Sequence, residues 1–203
     1  MNTEMLIIFV ICLLIIPIYY KTKSFNSKSG ILLFTLGFSA LFLRILFFRK
    51  YPPLATLNKD TLFLSVIILL IPSALFVVHS FLKKGDILRK RYSYLFKLLF
   101  PYLFFGALQQ ILFLTIFTDS VYYLTSNYNV TFLISVIFFF TFHLNWDKEI
   151  RKLLLCLIGF GILSTFVYLW LGNILPQMVM HGAVGSILYA AFSKDDQLKR
   201  RLS

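Results

Sequence analysis

The sequence predicts an all-α fold: a polytopic membrane helical bundle of about seven transmembrane helices. Three observations carry this. Hydrophobic residues make up 59% of the 203 residues, with 24 Phe and a mean hydropathy of +0.84. Charged residues are only 14%, where a soluble domain carries about a quarter. Those charges are also clustered between long apolar runs, so lipid is the solvent for most side chains. No stretch of useful length is left for a soluble module, and residues 1–203 read as a single integral membrane domain.

A helix needs about 20 mostly apolar residues to cross the bilayer. Seven runs approach that length: Met5–Tyr20, Gly30–Phe48, Thr61–Leu82, Leu95–Phe117, Val130–Leu144, Leu153–Leu171 and Ile174–Phe192. The first lacks a basic n-region and a cleavage site, and reads as a retained span rather than a cleaved signal. Cys12 and Cys156 lie inside apolar runs and read as small apolar filler, not as a disulfide framework.

The net charge of +12 is explained by topology. With the N-terminus outside, sixteen Lys and Arg fall in inside segments: Lys21–Ser29, Lys83–Ser93 with Lys97, Asp147–Lys152 and the tail from Ser193. Only Arg49, Lys50 and Lys59 fall outside, so the positive-inside rule gives a multi-pass cell-membrane protein with its N-terminus out and C-terminus cytoplasmic. The Lys83–Lys97 stretch also mixes basic and aromatic residues, which suits an anionic lipid surface. No run interleaves basic and aromatic residues as a nucleic-acid surface does, so no nucleic acid is expected as a partner.

Polar residues at membrane depth point to function, because each is costly without a partner. Arg44 and His79 lie near helix ends and can reach the interface. Gln109 and Gln110 cannot. Gln109 follows Lys97 by twelve residues, about 18 Å along a helix, so the pair needs partners on other helices or a wet cavity. Adjacent residues differ by ~100°, so both amides fit one wide cavity but not one narrow seam. His143 lies near the inside end of the fifth run. His181 lies within the seventh and is followed by the small residues Gly182, Ala183, Gly185 and Ser186, which allow close helix approach. Two histidines without a carboxylate are too few donors for a zinc site, so no metal or cofactor is expected.

At these residues the chain resembles the CAAX-protease and bacteriocin-processing (CPBP) family of intramembrane peptidases. The family's first signature, Glu-Glu-x-x-x-Arg, aligns to Gln109-Gln110-Ile111-Leu112-Phe113-Leu114. Its second, Phe-x-x-x-His, is intact from Phe139 to His143. Its third, His-x-x-x-Asn, aligns to His181 through Gly185, with glycine at the Asn position. The resemblance covers about residues 92–191 as a family-like core. It implies that Gln109, Gln110, His143 and His181 occupy the positions of a peptidase site. There a glutamate activates water, and a histidine with the asparagine stabilises the oxyanion.

A carboxamide takes no proton near neutral pH, so the amides do not replace that base. Losing it removes about 10²–10⁴-fold of rate, and losing an oxyanion donor about 10²–10³-fold. The loss of the arginine fits, since an arginine without its acids would be an unpaired buried charge. The expectation is a degenerate member that binds a membrane, prenylated or bacteriocin peptide without efficient cleavage, in bacteriocin self-protection or beside a partner membrane protein. The alternatives are an active peptidase using His143 or His181 as base, and a structural subunit of a membrane complex.

Overall fold

A computed structural model describes Val10, residues 57–143 and residues 154–193. Apart from Val10, the expected spans Met5–Tyr20 and Gly30–Phe48 lie outside the described residues, as do Arg44, the Asp147–Lys152 segment and the basic tail. The described chain is helical throughout: α1 (Lys59–Lys90), α2 (Tyr92–Gln110), a π-helical segment (Ile111–Thr118), α3 (Asp119–Thr125), α4 (Tyr128–His143), α5 (Leu154–Leu171) and α6 (Leu175–Phe192). Helices α1 and α5 are long and apolar enough to cross a membrane. The elements form the expected all-α membrane bundle, with α6 packed along α2 and α1, and α5 against α4 and α1.

Helix α1 shows how the bundle is patterned. Ser65, Leu69, Ser73, Phe76 and Ser80 recur every three or four residues and form its buried stripe. Each serine hydroxyl donates to a carbonyl one turn back, on Thr61 (2.8 Å), Leu69 (2.6 Å) and Phe76 (2.8 Å). Their polar groups are thus satisfied within the helix, and their small size lets neighbours approach. Phe63, Leu75 and Leu82 face outward at 77%, 66% and 81% exposure. Large apolar residues outside and small hydroxyls inside is the distribution that lipid favours.

Helix α1 also runs well beyond the expected Thr61–Leu82 span. Its 32 residues extend about 48 Å, against ~30 Å of hydrocarbon. The side chain of Asn58 starts it by accepting from the Asp60 N–H at 3.1 Å. The backbone kinks at Lys84 (φ −133°, ψ 20°), and Leu88 beyond the kink is buried against the α6 end in a cluster with Phe76, Leu188 and Tyr189. The basic stretch read as an inside connection is therefore helical as far as Lys90, because Leu88 has a core to enter.

One residue of that stretch is structural. The Arg91 guanidinium donates to the carbonyls of Ala190 (2.9 Å) and Ser193 (2.8 Å) at the end of α6. A cation there meets carbonyls that have no partner within the helix.

The fourth span also differs from expectation. Instead of ending at Phe117, the helical path continues through the π-helical segment into α3 and stops at Ser126, which adopts a left-handed conformation (φ 51°). The Thr118 hydroxyl bonds the Phe113 carbonyl, five residues back, at 3.0 Å. Asp119 is fully buried and accepts from the Tyr168 hydroxyl of α5 at 2.7 Å. That bond gives the acid a partner inside the bundle, so the helix need not end before it.

Asn127 then starts α4, its side chain accepting from the N–H groups of Asn129 (3.0 Å) and Val130 (3.1 Å). Between α5 and α6, Gly172 takes a positive φ of 68°, which glycine adopts without strain. The turn buries Asn173. Its amide donates to Thr61 (2.9 Å), Ser65 (2.8 Å) and the Leu171 carbonyl (2.9 Å), and its oxygen accepts from the Asn58 N–H (3.0 Å). Thr61 also donates to the Leu171 carbonyl. These bonds pin the start of α1 to the α5–α6 turn.

Candidate functional site

The site is built from glycines upward. A Cβ on Gly106 would lie 2.7 Å from the backbone nitrogen of Gly182, and one on Gly182 would lie 2.5 Å from Cα of Leu103. The backbones of α2 and α6 therefore touch, with no side chain between them. One turn beyond Gly106 is Gln110, and next to Gly182 is His181. The crossing delivers both to one place: Gln110 is fully buried, and its Nε2 lies 2.5 Å from Nδ1 of His181.

A second close approach brings in α4. A Cβ on Gly161 would lie 2.4 Å from the Phe139 ring, so the glycine of α5 makes the room that Phe139 fills. His143, one turn on, stacks on Phe139 with ring centroids 4.2 Å apart. Its Nδ1 donates to the Phe139 carbonyl at 2.7 Å, since a carbonyl only accepts. The rings of His143 and His181 are 6.2 Å apart. Phe160 meets His181 edge-on at 5.6 Å, and Phe139 does so at 6.3 Å. The two histidines and one amide thus share an aromatic enclosure built by α2, α4, α5 and α6.

Of the four residues singled out from the sequence, Gln110, His143 and His181 converge. Gln109 does not share the Gln110–His181 bond. It is half-buried, and its side chain leaves α2 about 100° away from that of Gln110. His79 is exposed on α1, which continues past it to Lys90.

The surroundings of Leu114 and Gly185, where the resemblance leads one to expect an arginine and an asparagine, are apolar and aromatic. Leu114 is fully buried in an apolar cluster with Phe113, Phe139, Tyr168, Leu169 and Ile174. Tyr168 of that cluster already holds the buried Asp119. Gly185 lies one turn past His181, and a Cβ there would approach the Tyr102 ring to 3.1 Å. The Tyr102 ring, itself packed on Tyr189 at 4.9 Å, fills the space an asparagine would use.

Sequence reasoning missed three polar positions. Asp119 lies beyond the expected Leu95–Phe117 run, although it follows that run without a break in helical pattern. Asn173 lies between the expected runs Leu153–Leu171 and Ile174–Phe192. Arg91 was read as topology charge. The first two had a local signal, an acid and an amide flanked by apolar runs. Nothing local marks Arg91 out from its basic neighbours. Among the described residues no three His, Cys, Asp or Glu side chains group as a metal site would require.

Among the described residues no carboxylate joins the two histidines, and the chemistry they offer is hydrogen bonding and proton acceptance by imidazole. Residues 91–187 match the family model described as type II CAAX prenyl endopeptidase Rce1-like. No curated protein and no solved structure matches the chain. The matched segment starts at the Arg91 cap and holds Gln110, His143 and His181 on three of its helices. Residues 91–187 are thus a membrane domain of the Rce1-like family of type II CAAX prenyl endopeptidases.

Proposed function

We propose that this CAAX-protease-like membrane protein holds an apolar or lipidated peptide at the Gln110–His143–His181 site without cleaving it efficiently. The observation that carries the reading is the Gln110–His181 bond. An amide stands where the family places an acid, and it is engaged with a histidine rather than poised as a base. A carboxamide can orient water but cannot take its proton, which costs about 10²–10⁴-fold in rate. The apolar Leu114 and the Tyr102-filled space at Gly185 fit the same loss, since both would have to be rebuilt to recover the family's polar set. The aromatic rings around the histidines suit an apolar ligand.

The test is binding of a fluorescent farnesylated peptide to the purified protein in detergent, followed by anisotropy, with mass spectrometry of the recovered peptide. The reading expects saturable binding, weakened by His181→Leu, and intact peptide. Absence of saturable binding would contradict it, as would cleavage that His143→Ala abolishes.

A second reading is favoured by the His143–Phe139 bond. With its Nδ1 hydrogen on the carbonyl, a neutral His143 carries its lone pair on Nε2. Neutral imidazole is a competent base near pH 7. On that reading the protein is a slow peptidase with His143 as base, and replacing both glutamines by glutamate changes its rate little.

A further inference from the structure

The basic stretch that joins α1 to α2 divides into two faces. Residues 83–97 hold six Lys and Arg side chains and one acid, Asp86. From the kink onward, Lys84, Leu88 and Arg91 recur at four- and three-residue spacing, which places them on one side of a helix. All three are turned to α6. The Lys84 ammonium lies 6.0 Å from the centre of the Phe192 ring, and Leu88 is buried in a cluster with Leu188 and Tyr189. The Arg91 guanidinium holds the carbonyls of Ala190 and Ser193. Lys83, Arg89 and Lys90 are exposed. Two cations of the stretch therefore fasten it to α6, and three present their charge outward.

Helix length sets the depth of this surface. The apolar part of α1, Thr61–Leu82, extends about 33 Å, which matches the ~30 Å of hydrocarbon. Lys83 thus begins at the level of the headgroups. The start of α2 lies beside it, where the exposed rings of Tyr92 and Phe96 meet edge to face at 4.8 Å and Lys97 is exposed next to them. Aromatic rings with one apolar and one wet side suit that level of a bilayer. We propose that Lys83, Arg89, Lys90 and Lys97, with the rings of Tyr92 and Phe96, form a docking surface for the headgroups of anionic phospholipids. Lys84, Leu88 and Arg91 clamp that surface to the end of α6. Charge complementarity selects the occupant, since four exposed cations face outward against the single acid Asp86. The rings favour a lipid over a soluble anion, because they lie against its glycerol and upper acyl carbons. Each cation near an anionic membrane surface contributes about fivefold in affinity. The surface is independent of what the histidine site binds.

The experiment is thermal unfolding of the full chain in nanodiscs of phosphatidylcholine, with and without phosphatidylglycerol. The wild type should melt about 2–4 °C or more higher when phosphatidylglycerol is present, the response to at least one cation–headgroup contact. High salt should remove the rise by screening. The combined variant Lys83→Gln, Arg89→Gln, Lys90→Gln should melt near the wild type in phosphatidylcholine and lose the rise in phosphatidylglycerol. Lys90→Gln alone should lose part of it, and provides the comparison should the combined variant misfold. Arg91→Gln should melt lower in both lipids, because it leaves the α6 carbonyls without their donor, and should keep the rise.

A wild-type melting temperature that is the same in both lipids would overturn the proposal. So would a rise that the combined variant and Lys90→Gln both retain in full, since the exposed cations would then not be its source. An equal rise from free glycerol phosphate added to phosphatidylcholine nanodiscs would also overturn it, because the surface would then take a soluble anion rather than a lipid.

Discussion

Gly106 and Gly182 place the backbones of α2 and α6 in direct contact, and Gln110 reaches His181 one turn from that contact. A methyl group on Gly106 would sit 2.7 Å from the nitrogen of Gly182. Backbone cannot yield as a side-chain tip can. Gly106→Ala should therefore separate the helices and cost about 1–3 kcal/mol, the usual penalty of overpacking. Thermal unfolding in detergent measures the loss, and the Gln110–His181 contact should be lost with it. Gly159→Ala is the control: among the described residues a Cβ there meets nothing within 4 Å, so its melting temperature should stay near the wild type's.

The fully buried Leu114 predicts an asymmetry between single and combined substitutions. Leu114→Arg alone puts an unpaired charge into an apolar cluster, and breaking such a balance costs about 3–5 kcal/mol. The yield of folded protein should fall sharply. Adding Gln109→Glu and Gln110→Glu supplies partners one turn back along the helical path, and should recover part of the yield in size-exclusion chromatography. Recovery no better than the single variant would show that the three positions are not coupled.

Asp119 and Tyr168 make a second test at a distance from the histidines. The acid is fully buried and takes the Tyr168 hydroxyl at 2.7 Å. Tyr168→Phe keeps the ring and removes that donor, which should cost about 1–3 kcal/mol in unfolding. Asp119→Asn keeps an acceptor for the hydroxyl and should cost less. Peptide affinity should change little in either variant, since neither residue is part of the Gln110–His143–His181 set.

Asn173 holds the start of α1 to the α5–α6 turn through three hydrogen bonds, with a fourth to Leu171 inside the turn. Asn173→Ala leaves several of those groups without their partner, and should lower the melting temperature more than Tyr168→Phe does. Hydrogen exchange of the α1 amides near Thr61 and Ser65 should rise with it, while the amides near Leu188 remain protected.

The residues that converge were legible because burial of polar groups in lipid is costly enough to mark them. Gln110, His143 and His181 stand out from apolar runs, and their order matched known signatures. What brings them together was not legible. Gly182 stood out as one of the small residues after His181, but Gly106 and Gly161 carry no such mark, and only the close approaches show that all three set the helix spacing. The separation of Gln109 from Gln110 follows from helical geometry, but which of the two faces His181 depends on how α2 meets α6. The π-helical segment after Gln110 has no sequence signature here, since its residues are ordinary apolar ones. Asp119 lies just beyond the expected Leu95–Phe117 run, and its partner Tyr168 is remote in sequence.

The central claim is that the site binds peptide without activating water efficiently. The direct measurement is incubation of the purified protein with a farnesylated peptide in H₂¹⁸O, with mass spectrometry of every peptide species. The wild type is predicted to return intact peptide with no ¹⁸O. A C-terminal carboxylate labelled with ¹⁸O, formed by the wild type and lost in His143→Ala, would contradict the claim.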